Sequence, residues 1–225
     1  MKPTLIFDYD GTIHDTLHIY EPVMRDTYRW LVQSGYVQEE PLASERIAGW
    51  LGLNAREMWD DFQPQLADEI KEQAAKRNGD GMVARVRAHE ARWYANSEAT
   101  LEILKQSGYS MLVLSNCKIG YREAHWEEFC MERWFDRFYD CESYGFAPKT
   151  QIIKEILPQY DAPYVVIGDR EKDLACAHAA GAAFVGCLYG YGSREELAGA
   201  DMLIRDIGEL PEVLEELEAH SRRLL

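Results

Sequence analysis

Short unbroken apolar runs recur along the chain, and stretches of helical spacing fill the intervals between them. Leu5-Ile6-Phe7 is the first run. Tyr109 to Leu114, Phe138 to Cys141, Tyr164 to Ile167, Ala183 to Cys187 and Met202 to Ile204 follow. Runs this short, bounded by polar or turn residues, predict buried strands. After the first, Ile19, Val23, Met24, Tyr28 and Leu31 share a helix face that Gly35 stops. Asn54 with Glu57 reads as a capping box that opens a helix through Met58, Trp59 and Phe62. Gln65 to Lys76 is rich in Ala, Glu and Lys, Asn78-Gly79-Asp80-Gly81 reads as a break, and Met82 to Tyr94 as another helix. Ser97 is placed to cap a helix through Leu101, Ile103 and Leu104 that ends at Gly108. Tyr121 to Phe135, Gln151 to Leu157, an Ala-rich segment closing on Gly181, and Glu209 to Leu225 complete the predicted helices.

Strands alternating with helices predict an α/β fold with a parallel, doubly wound, Rossmann-like sheet. The helical text between the first two strands predicts an all-helical insert. The expected division is a core of residues 1–14 and 97–225 and a helical domain of residues 15–96. The chain would cross between them near Ile13–Thr16 and Tyr94–Ser97.

Three strands end in chemistry. Leu5-Ile6-Phe7 runs into Asp8-Tyr9-Asp10-Gly11-Thr12. Carboxylates so close repel, and one pKa rises unless a cation lies between them. A hard divalent ion with oxygen ligands, Mg²⁺ above all, suits the pair. Gly11 permits a tight turn and close approach of an anion. The second strand ends on Ser115-Asn116, whose hydroxyl and following N–H groups suit phosphate oxygens. The fourth ends on Gly168-Asp169-Arg170-Glu171-Lys172-Asp173, two acids four apart opening a helix. Asp173 also reads as an acid that favours the helix dipole. Lys149, just before a helix, reads either as a site cation or as a solvated surface group. In doubly wound sheets the ligand crevice lies beyond the carboxyl ends of the strands, where Asp8, Ser115 and Asp169 fall. His14 and His18 are four apart, but without a third ligand they read as polar residues at a helix start.

Asp-x-Asp-Gly-Thr behind an apolar strand resembles the first motif of the haloacid-dehalogenase-type (HAD) phosphohydrolases. Ser115-Asn116, Lys149 and Gly168–Asp173 are similar to the second, third and fourth motifs, although Pro148-Lys149 stands where the family commonly has Lys-Pro. The resemblance covers residues 4–17 and 97–208 and is closest to the class with an inserted helical cap, which includes phosphoglycolate-phosphatase-like and β-phosphoglucomutase-like enzymes. It implies that Asp8 is the nucleophile and Asp10 the general acid/base. Asp8, Asp169 and the Asp10 main-chain carbonyl would hold Mg²⁺, with Asp173 behind them. Thr12, Ser115, Asn116 and Lys149 would hold the phosphate, with Lys118 as an alternative lysine. The activity implied is Mg²⁺-dependent hydrolysis of a small phosphate monoester through an aspartyl phosphate. A sugar phosphomutase and a non-catalytic phosphate-ligand-binding protein are the other readings. Dehalogenases lack an acid at the position of Asp10. Arg46 to Gly52 resembles the loop that reaches over the site in capped relatives. Trp50, with Arg46 or Arg56, would meet the organic part of the substrate, or else Trp50 packs between helices.

Composition narrows the partners. A formal charge of −15 over 225 residues opposes nucleic-acid binding and makes a local cation necessary for any phosphate site. Cys117, Cys130, Cys141, Cys176 and Cys187 form no C-x-x-C pair and read as reduced thiols of a cytoplasmic protein. Neither a signal peptide nor a membrane span is legible in the sequence. The expected partner is a small phosphorylated metabolite, and the expected assembly a monomer or homodimer.

Overall fold

A computed structural model describes residues 2–223. The predicted helix from Glu209 to Leu225 is α9 (Leu210–Arg223), so the end of that expectation lies outside the described residues. Six parallel strands form the sheet: β1 (Thr4–Phe7), β2 (Ser110–Ser115), β3 (Arg137–Asp140), β4 (Tyr164–Gly168), β5 (Ala183–Cys187) and β6 (Met202–Ile204). Their order is β3-β2-β1-β4-β5-β6. The first strand is therefore central, and the winding reverses beside it, which opens a crevice beyond its carboxyl end. In register, Phe7 pairs with both Val113 and Ile167, so the residues after Phe7 and Ile167 emerge side by side.

Alternation along the strands divides the core. Leu5, Phe7, Met111, Val113 and Val165 face one side, against Leu101 and Leu104 of α5 (Ser97–Gln106) and Leu210 and Leu214 of α9. Ile6, Leu112, Leu114 and Val166 face the other. They pack on Ile152, Ile153 and Ile156 of α7 (Lys149–Ile156) and on Cys176 and Ala177 of α8 (Glu171–Ala180). Both faces are covered, which is why the strands read as continuous apolar runs.

Residues between β1 and α5 form α1 (Leu17–Gln33), α2 (Ser44–Gly49), α3 (Ala55–Phe62) and α4 (Asp68–Arg87). They share their own apolar cluster, including Met24, Leu31, Ile47, Trp50, Trp59 and Phe62. A smaller cluster of Ile19, Val23, Met82 and Val86 takes in Ala124 of α6 (Ile119–Glu128) and so joins these helices to the sheet region. The Asn54–Glu57 capping box forms, with both bonds at 2.9 Å.

Three local expectations are corrected. Asn78-Gly79-Asp80-Gly81 does not break the helix; α4 runs through it and absorbs the first part of the predicted Met82–Tyr94 helix. Gly81 serves packing, because a Cβ there would stand 2.8 Å from Val23 Cγ1 of α1. The predicted Tyr121–Phe135 helix stops at Glu128, where Cys130 turns left-handed (φ 47°) before a single 3₁₀ turn, Met131–Arg133. Ser97 does not cap α5; it is the first helical residue, and its Oγ reaches the Ile13 carbonyl at 3.5 Å. Where the chain crosses, Tyr94 N–H donates to Ile13 O (2.9 Å) and Asp15 N–H to Arg92 O (3.1 Å). No helix among the described residues is long and apolar enough to cross a membrane. The five cysteines are free thiols.

Candidate active site

Asp8 follows β1 and extends its ladder, donating its N–H to Ile167 O at 2.8 Å. The chain then folds sharply. Tyr9 O accepts from the N–H groups of Thr12, Ile13 and His14, and Gly11 adopts φ 89°. That turn lies directly against Asp169, the first residue beyond β4. A Cβ at Gly11 would stand 2.4 Å from Asp169 Oδ2, and one at Gly190 would stand 2.3 Å from Asp169 Cβ. Backbone thus surrounds Asp169 on two sides. Tyr191 N–H donates to its Oδ2 at 2.7 Å and Thr12 Oγ1 to its Oδ1 at 3.3 Å.

Lys149 is the first residue of α7 and is only 6% exposed. Its Nζ donates to Asp8 Oδ1 at 2.6 Å and to Asp173 Oδ1 at 2.7 Å. Asp173, in the first turn of α8, also accepts the Arg170 N–H at 3.1 Å. Asp8, Asp169 and Asp173 each present a carboxylate oxygen, and these oxygens lie within 4.8 Å of one another.

One ammonium against three buried carboxylates leaves the cluster short of positive charge. Burial, then Asp173, raise the Asp8 pKa well above the usual carboxylate value; Asp169 adds to the rise, and Lys149 offsets only part of it. The same two causes push Asp169 up to about 7. Burial works against the Lys149 charge, but Asp173 and Asp8 hold its pKa above the ordinary lysine value. An all-oxygen donor set with an unmet buried negative charge fits a hard divalent cation.

Asp10 stands beside this cluster in a different setting. Its Oδ1 accepts from Thr16 Oγ1 and Tyr121 OH, both at 2.7 Å, and lies 3.2 Å from His14 Nδ1. Its Oδ2 faces Ser115 Oγ at 3.4 Å. Burial raises its pKa, but the hydrogen bonds outweigh that and bring it down to about 2.

The structure therefore brings Asp8, Asp10, Thr12, Ser115, Lys149, Asp169 and Asp173 to one end of the sheet. Asn116 is half-buried just past Ser115, whereas Lys118 is exposed. Trp50 does not face the site: it is buried among the insert helices and donates from Nε1 to Asp61 Oδ2 at 2.8 Å. Arg46 lies over the Trp50 and Phe62 rings, and Arg56 is solvent-facing with Asp60 at 3.8 Å. His18 is exposed and His14 buried on Asp10, so the two do not form a pair.

Several partners of the site acids are not among the residues that the motifs mark. Tyr121, Thr16 and His14 converge on Asp10, and Tyr191 joins Asp169. Arg170 and Lys172, between the two acids of the fourth strand's loop, reach the insert. Arg170 Nη1 donates to Leu51 O, and Lys172 Nζ to Glu57 Oε2 at 2.8 Å.

Residues 5–187 match the family model described as haloacid dehalogenase-like hydrolase. The phosphoglycolate phosphatase of Mannheimia succiniciproducens is 23% identical over 238 residues, covering 92% of this chain and 96% of that protein. The 5'-nucleotidase of Pseudomonas aeruginosa is 26% identical over 219 residues, covering 95% and 96%. The crystal structure of a predicted phosphatase from Clostridium acetobutylicum superposes with a TM-score of 0.77 at 23% identity, covering 96% of this chain and 99% of that one.

Proposed function

The chain belongs to the haloacid dehalogenase-like hydrolases, and on that premise we propose that it hydrolyses a small phosphate monoester through a phosphoryl group carried on Asp8. The observation that carries the reading is Lys149 Nζ bridging Asp8 and Asp173 inside the buried carboxylate cluster. It fixes the Asp8 carboxylate at the crevice by one oxygen and leaves the other for attack. The two relatives whose names specify phosphoglycolate and a nucleotide both act on phosphate monoesters, which supports that substrate class.

Asp8, Asp169 and the Asp10 main-chain carbonyl would hold Mg²⁺, with Asp173 behind them; when bound, it supplies positive charge opposite the phosphoryl oxygens. Asp8 attacks phosphorus and the ester P–O bond breaks. Asp10, ionised in the free protein, takes up a proton as the phosphate dianion binds beside it and gives that proton to the departing alkoxide. Water then attacks the same phosphorus, Asp10 takes its proton, and the bond to Asp8 breaks to release phosphate. Lys149, Ser115 and Asn116 offer donors to the equatorial oxygens, where transition-state charge concentrates, whereas Thr12 spends its hydroxyl proton on Asp169. The helices of residues 15–96 act as a cap that excludes water, anchored through Arg170 to Leu51 and through Lys172 to Glu57.

Phosphate release from a panel of monoesters, with and without Mg²⁺, tests this. Mg²⁺-dependent release that Asp8→Asn abolishes is expected. Release that survives Asp8→Asn, or no release from any ester with several divalent ions, contradicts it.

A further inference from the structure

Behind Asp10 lies a buried cluster of rings and hydroxyls that the mechanism above leaves unused. Resting on the reading of Asp10 as acid/base, we infer that Tyr121 and His14 are positioning residues that hold its Oδ1 and leave Oδ2 as the oxygen that carries the proton.

The hydrogens can be assigned from their partners. Thr16 Oγ1 and Tyr121 OH each spend their single proton on Asp10 Oδ1, at 2.7 Å. Their oxygens lie 2.9 and 3.1 Å from His14 Nδ1, and Asp10 Oδ1 lies at 3.2 Å. All three are then acceptors towards that nitrogen, so Nδ1 carries hydrogen. Three donors from two parts of the fold thus converge on one oxygen. Among the described residues, Oδ2 has only the long 3.4 Å contact with Ser115 at the tip of β2.

The donors are held rigidly. His14 stacks on Tyr9, with ring centroids 5.4 Å apart and planes 14° from parallel, and Tyr121 lies against His125 at 4.2 Å. Trp93 Nε1 donates to Tyr9 OH at 3.0 Å, and Tyr9 OH lies 2.8 Å from His125 Nδ1. His125 is neutral, because burial lowers its pKa far below the ordinary imidazole value. The Nε2 atoms of His14 and His125 are buried without a partner among the described residues. Such atoms are costly to bury, and an aliphatic side chain at 14 would avoid that cost. What histidine adds at this position is the Nδ1–H on Asp10.

An oxygen bound by three donors is a poor site for a proton, so protonation is directed to Oδ2. Losing one donor lets the carboxylate rotate and misaligns proton delivery to the leaving group. That defect depends on the ester. An alkoxide needs the proton to depart; p-nitrophenolate does not.

The test is kcat/KM, which reports the steps up to phosphoryl transfer, for an alkyl phosphate and for p-nitrophenyl phosphate. Tyr121→Phe is expected to lower the alkyl value by about 10- to 100-fold and the aryl value by less than about threefold. His14→Leu should repeat that selectivity. His14→Asn, whose amide N–H stands in place of Nδ1–H, should restore most of the alkyl value. Equal falls for both esters, or no fall, overturn the inference while wild-type activity and an ester-selective Asp10→Asn defect leave the acid/base reading standing. A wild-type enzyme inert towards both esters overturns the two together.

Discussion

Gly11 and Asp169 come from different strand ends, yet a Cβ on Gly11 would lie 2.4 Å from Asp169 Oδ2. The two tips are in direct contact, and the contact exists because one of them has no side chain. Gly11 also holds φ 89°, where any other residue is strained. Gly11→Ala is therefore expected to displace the Asp169 carboxylate, cost about 1–3 kcal/mol of stability and reduce turnover at least about 10²-fold. Denaturant unfolding and phosphate release measure the two effects, and wild-type values for both would show that the contact is dispensable.

Lys149 is the only side-chain cation hydrogen-bonded to Asp8 and Asp173 among the described residues. Lys149→Met leaves both carboxylates buried without it. A loss of about 3–5 kcal/mol is expected at neutral pH, together with loss of activity. Because a raised carboxylate pKa lets the folded state take up a proton, the destabilisation should shrink as pH falls. Urea melts of both proteins at pH 7.5 and 5 read this out.

Asp169 supplies a pH signature in the metal-free protein. Its folded pKa is raised to about 7, well above the ordinary carboxylate range, by burial and then by Asp173. Its favourable contribution is complete below the unfolded value and is lost as pH rises through the folded one. Stability in the presence of a chelator should thus decline across that window. A divalent cation would bind the ionised form, so added Mg²⁺ is expected to raise the melting temperature more at pH 8 than at pH 5.5. Asp169→Asn should flatten both trends.

Lys172 and Glu57 link α8 to the insert across partly exposed side chains, 39% and 45% accessible. An exposed pair contributes at most about 1 kcal/mol. Lys172→Glu should therefore barely shift the melting temperature. It should raise KM severalfold, because like charges now oppose each other where the insert meets the core. An unchanged KM would argue that the insert is not held there during turnover.

The candidate site at the carboxyl end of the sheet is legible in the sequence because acids and hydroxyls follow directly on apolar runs. Asp8, Ser115 and Asp169 needed only strand ends to be recognised, and parallel register then brought them together. Asp10's partners were hidden because Tyr121 is 111 residues away, on a helix whose pattern shows amphipathicity and nothing of its hydroxyl's target. The sequence leaves Trp50 open because an indole between helices and an indole over a ligand have the same local sequence. Only Asp61, which accepts its N–H, decides between them. Gly79 and Gly81 read as a turn because glycine has low helix propensity, and the Val23 side chain that lies against position 81 in the folded chain has no local signature.

Rapid mixing with a phosphate monoester, followed by acid quench and mass spectrometry of the digested protein, bears most directly on the nucleophile. A transient phosphoryl group on the peptide carrying Asp8, absent from Asp8→Asn, is the expected result. Turnover with the phosphoryl group on another residue, or an Asp8→Asn protein that still forms the adduct, would contradict it.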